Sequence, residues 1–145
     1  MSLAYVEYRS ASGHNAIAHD ITLHAWSRLE FGKSLVITTD PDNACYAMQK
    51  HWQRLCRRLA DVRIDTDTPA RMIALSKQVA RLQQTQITSL LPSDRPQADI
   101  FLLTAQNLDD LLPEFATLYI TCEVPHTVLN TVVEAMPAKS LVVMY

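Results

Sequence analysis

Four short runs constrain this chain more than anything else in it: Leu35-Val36-Ile37-Thr38-Thr39, Ile100-Phe101-Leu102-Leu103-Thr104, Thr117-Leu118-Tyr119-Ile120-Thr121-Cys122 and Leu141-Val142-Val143-Met144. Each is too short for a buried helix and lacks the polar alternation of a strand with one wet face. They read as strands covered on both faces, which is the signature of a parallel sheet. Two shorter runs, Ala4-Tyr5-Val6-Glu7-Tyr8 and Val62-Arg63-Ile64-Asp65, read as further strands, the second nearer an edge because it alternates.

The intervals between these runs carry helical periodicity. Ile17, Ala18, Ile21, Ala25 and Leu29 predict a helix over about 15–31, with Ser12 or Asn15 as its cap and Gly32 in the left-handed position beyond it. Asp40-Pro41-Asp42 starts a second helix, whose buried stripe is Cys45, Met48, Trp52, Leu55 and Leu59. Thr68-Pro69 starts a third, carrying Met72, Leu75, Val79 and Leu82 and ending near Gln86. Ser89 to Gln97 reads as a loop, Asn107 to about Phe115 as a short helix, and Leu129, Val132, Val133 and Met136 mark a last helix. Alternation of this kind predicts a single α/β domain over residues 1–145, a three-layer Rossmann-like sandwich. Its mostly parallel sheet has about five or six strands, with helices on both faces.

Glycine is scarce, at 2 of 145 residues against about 7% in an average chain. Sites that hold phosphates or dinucleotides expose backbone N–H groups in glycine-rich turns, and this chain has almost none to place there. Cys45, Cys56 and Cys122 are isolated among apolar neighbours, which fits small core residues in a reducing, cytoplasmic compartment. No apolar run is long enough to cross a bilayer, and the first residues lack a basic segment followed by an apolar one. A net charge of −2 gives no overall field toward nucleic acid or a membrane surface.

In a parallel sheet ligands bind beyond the carboxyl ends of the strands. Those ends read Ser10 to Asn15, Thr38-Thr39-Asp40, Asp65-Thr66-Asp67, Thr104 to Asn107 and Cys122-Glu123, and they are expected to share one rim. Candidate rim or interaction residues are Ser12, Gly13, His14, Asn15, His19, Thr39 and Asp40. Lys50, Arg54, Arg57 and Arg58 form a separate basic stripe on the second helix, a candidate dock for an acidic partner or nucleic acid, although no aromatic residues interleave with it. His14, His19 and His24 recur every five residues, a rotation of about 500° on a helix, which scatters the rings and excludes one shared metal site. Cys122 with His126 lacks a third residue to orient the imidazole. Asp65 and Asp67, like Asp109 and Asp110, read as turn and cap residues rather than paired acid and base. No catalytic, cofactor-binding or metal-binding residue is assigned.

A strand, Ser10-Ala11-Ser12-Gly13-His14-Asn15, then a helix resembles the Walker A loop of P-loop NTPases in a decayed form. Aligned on Gly13, Tyr8 occupies the first glycine, His14 the lysine and Asn15 the magnesium-binding hydroxyl. That resemblance implies a nucleotide site that has lost its reactive groups. His14 or His19 after the first strand is similar in position to the phosphorylated histidine of mannose-class phosphotransferase subunits, although the expected Arg and Gly around it are absent. Gly32 before an apolar strand and Trp52 toward the end of the next helix resemble the chi subunit of bacterial DNA polymerase III in outline. Residues 62–90 depart from that outline, so its binding residues are not carried over.

These features lead to the expectation of a non-catalytic interaction or regulatory subunit without cofactor, the alternative being a small enzyme or phosphocarrier. A protein partner or a second copy is expected, and nucleic acid only through the basic stripe. Leu141-Val142-Val143-Met144-Tyr145 is apolar throughout, which predicts an edge strand that must be covered, either by a neighbouring element of the same chain or, the favoured expectation, by another subunit.

Overall fold

The computed structural model describes residues 4–64, 68–106, 108 and 110–145. Six strands form one sheet: β1 (Tyr5–Tyr8), β2 (Lys33–Ile37), β3 (Ile87–Thr88), β4 (Ile100–Leu103), β5 (Phe115–Ile120) and β6 (Leu141–Met144). Their spatial order is β1-β6-β5-β2-β4-β3, and every neighbouring pair is parallel. Four helices connect them: α1 (His14–Arg28), α2 (Pro41–Ile64), α3 (Pro69–Gln84) and α4 (His126–Ala135).

Side chains alternate across the sheet and separate the core into two halves. On one face Val36, Ile100, Leu102, Tyr119 and Val143 pack beneath α1, α2 and Leu82 of α3. On the other, Leu35, Ile37, Phe101, Leu118 and Val142 pack against Val132 of α4, Met136 just beyond its end, and Leu112 in the 3₁₀ turn Leu112–Glu114. The expected α/β sandwich with helices on both faces is the observed architecture.

Four expectations about the strands and helices change. Val62 to Ile64 do not form a strand, because α2 continues through Ile64 and runs along α3; Asp65 to Asp67 lie outside the described residues. The sixth strand is instead β3, only two residues long, paired to β4. The short helix expected from Asn107 is reduced to a turn and the 3₁₀ segment around Pro113, which lacks the N–H a longer helix needs there, and β5 starts at Phe115; Asn107 and Asp109 also lie outside the described residues. Leu141–Met144 is no edge: β6 lies between β1 and β5 and is paired along its length to both.

Both glycines occupy positive φ. Gly13, at φ 86°, is the N-cap of α1, and neither Ser12 nor Asn15 caps it through a side chain. Gly32, at φ 135°, turns the chain from the 3₁₀ turn Leu29–Phe31 into β2, where a Cβ would meet Ala116 Cβ at 3.1 Å.

Candidate functional site

β2 is followed by α2 on one face of the sheet, while its neighbours β4 and β5 are followed by segments on the other. The chain parts where it leaves these strands, and a crevice opens at such a switch point. Here it is a cleft of about 530 Å³ between the first turns of α1 and α2, within the size range of small-molecule sites. Ile17, Ile21, Val36, Met48 and Leu102 make an apolar floor, and His14, Asn15, Thr39, Asp40, Asn43 and Thr121 stand around it.

Much of this rim's hydrogen bonding holds the loops in place. The Asp40 carboxylate accepts from the Asn43 main-chain N–H at 3.4 Å and from its side-chain amide at 2.5 Å, so it caps α2 as the sequence implies. Thr38 Oγ1 accepts from the Asp40 N–H, and Thr121 Oγ1 donates to the Ile37 carbonyl. Asn15 Oδ1 accepts from His51 Nε2 at 3.0 Å, and the His19 ring meets His51 edge-on. Burial pushes the His51 imidazole below its ordinary range, with the neighbouring His19 and Arg54 adding to the effect.

Of the expected residues, Gly13, His14, Asn15, Thr39 and Asp40 gather at the cleft; Ser12 and His19 do not line it. His24 is elsewhere again, so the three histidines scatter as their spacing requires. Lys50 lies over the Tyr46 ring at 4.3 Å. Arg57 lines a second groove of about 750 Å³ with Arg95, Gln49 and Gln86, beside β3. Arg54, Arg57 and Arg58 are exposed, and among the described residues none is paired with a carboxylate. Cys122 is half-buried with its thiol pushed up by burial, which makes it a poor nucleophile.

A further feature at the sheet margin was hidden in the sequence. Tyr5 N donates to the Ser140 carbonyl and Arg9 N to the Met144 carbonyl, both at 2.8 Å. Odd-numbered residues of β1 therefore turn their main-chain groups toward β6, and Val6 and Tyr8 turn theirs away from the sheet. Tyr5 is 65%, Val6 39% and Tyr8 74% exposed. Polar contacts fix the strand from the α1 side. Arg9 donates twice to Asp20 (2.6 and 2.9 Å), Tyr145 donates to Asp20 at 2.7 Å, and Glu7 bonds His24, which bonds the buried Tyr119 hydroxyl. The opposite margin is protected, because the Ile87 carbonyl of β3 accepts from the Gln49 side chain at 3.0 Å.

Comparison with family models, with curated proteins and with solved structures gave no match. Among the described residues no helix is long and apolar enough to cross a membrane, and no three His, Cys, Asp or Glu side chains are gathered for a metal ion.

Proposed function

We propose that this chain is a non-catalytic interaction or regulatory subunit that docks through the outer edge of β1. The observation that carries the reading is the combination of outward main-chain groups on Val6 and Tyr8 with exposed aromatic rings on either side of them. Such an edge is a template for another strand, with backbone bonds supplying affinity and alternate side chains specificity. Four residues, firmly braced to α1, are a preformed edge that costs little ordering on binding. The test is a pull-down from the native host with the parent and with a Tyr5→Lys, Tyr8→Lys variant as bait. The parent should recover partners that the variant loses. Recovery of the same set by both would remove the edge from the reading.

The cleft favours a second, compatible role in binding a small regulatory ligand, because its apolar floor and polar margin have the build of such sites. That ligand is not a magnesium nucleotide: His14 and Asn15 stand where phosphate and magnesium would need a lysine and a hydroxyl. Calorimetry with Mg-ATP should show no micromolar binding, and a micromolar isotherm would overturn this assignment.

A further inference from the structure

Resting on the edge-docking reading, we infer that the occupant of the β1 edge is a second copy of this chain, paired antiparallel about a twofold axis through Val6. Such an axis stands perpendicular to the sheet and keeps every side chain on its own face. It therefore opposes only residues separated by an even number of positions. The outward main-chain groups belong to Val6 and Tyr8, and by the same alternation to Ala4.

An axis through Val6 opposes Val6 to Val6, the large Tyr8 to the small Ala4, and the Tyr5 phenol to the Glu7 carboxylate of the second copy, whose Oε2 bonds His24 but whose Oε1 has only a long 3.5 Å contact from Arg9. Each opposition joins branched with branched, large with small, or donor with acceptor. Shifting the axis to Glu7 places two carboxylates directly opposite, which is repulsive. Shifting it to Tyr8 requires Ser10, which lies beyond the strand, and Arg9, whose guanidinium is already held by both oxygens of Asp20.

The two margins of the sheet also favour closure. Pairing β1 with β3 of another copy would generate an open fibre, but β3 is two residues long and its outward carbonyl is occupied by Gln49. Like edges pairing with each other close after two copies.

Light scattering across a concentration series should show monomer passing to dimer. Val6→Pro should remain folded, because the N–H it removes does not face β6, and should remain monomeric at every concentration. In the register through Val6 the two Val6 Cα atoms lie about 5.5 Å apart, inside the disulfide range of about 4.4–6.8 Å. Under mild oxidation Val6→Cys should give a covalent dimer on a non-reducing gel, while parent, Glu7→Cys and Tyr8→Cys should not. Linkage by Glu7→Cys or Tyr8→Cys instead overturns the register. A monomeric parent, or a dimer that Val6→Pro leaves intact, overturns the self-pairing. The pull-down above reads the wider edge-docking proposal independently, so the two fail separately.

Discussion

A carboxylate accepts and does not donate, so the contact of Glu7 Oε2 with His24 Nε2 at 3.1 Å puts the neutral imidazole's proton on Nε2. Nδ1 is then the acceptor for the Tyr119 hydroxyl at 2.7 Å. Burial pushes His24 below its ordinary range, more strongly than the nearby Glu7 raises it. His51 is depressed in the same direction, again chiefly by burial. A base whose pKa is lower in the folded chain binds fewer protons there than when unfolded. Its contribution is fully present above the unfolded value of about 6.5 and is lost as pH falls through the folded one. Urea unfolding should therefore show level stability from about pH 7 to 8 and a decline as the pH falls below about 6.5. A second decline should follow at lower pH as Asp20 protonates, its carboxyl being held down chiefly by the hydrogen bonds from Arg9. Stability that stayed flat or rose from pH 7 to 5 would contradict the buried neutral state of these histidines. The same chain sets a price on Tyr119→Phe, which leaves Nδ1 a half-buried acceptor without its donor and should cost about 1–3 kcal/mol in the same assay. None of this was legible in the sequence, because Glu7, His24 and Tyr119 are joined only by the fold, and their separations along the chain carry no periodic signal.

At the scale of elements, α2 tests how far local pattern reaches. Its start was legible because Asp40 and Pro41 determine it locally, and its buried face was legible from the spacing of Cys45, Met48 and Trp52, all of which are buried. Its end was not. Val62-Arg63-Ile64 has a strand-like alternation, but the backbone there belongs to a helix already supported along α3, and so short an alternation cannot interrupt it. β3 gave no signal for the opposite reason, since two residues are too few to form a pattern and its pairing comes from β4 alone. Trp52 joins the two helices: its ring is buried and its indole N–H donates to the Leu82 carbonyl at 2.8 Å. Trp52→Ala should cost about 3–5 kcal/mol in denaturant unfolding, mostly through the cavity. Trp52→Phe fills most of that volume, and the Leu82 carbonyl keeps its bond from Thr85 N, so the loss should be only about 1 kcal/mol. Equal losses for the two variants would mean that the hydrogen bond rather than the packing holds α3 to α2.

For the whole molecule, the order of strands was the least legible property, and it decides which edge is open. An apolar run fixes that a strand is buried on both faces, not which strands flank it, because neighbours are set by crossovers spanning tens of residues. Leu141–Met144 looked like a margin and is internal; Tyr5–Tyr8 looked like an ordinary first strand and is the margin. The consequence for removing residues 141–145 is therefore more severe than the loss of a partner. Val142 and Val143 are fully buried on opposite faces, and burial of each is worth about 1.5–3 kcal/mol. The ladders to β1 and β5 disappear together, β1 loses its one sheet neighbour, and Asp20 loses the Tyr145 hydroxyl that helps brace α1. Added together, these losses are comparable to the whole stability of a domain, about 5–15 kcal/mol. The truncated chain should lose its near-ultraviolet circular dichroism and its cooperative urea transition. A truncated chain that still unfolded cooperatively, with a urea midpoint close to the parent's, would show that β6 is not the strand that ties β1 to the sheet, and with it would fall the assignment of β1 as the open edge.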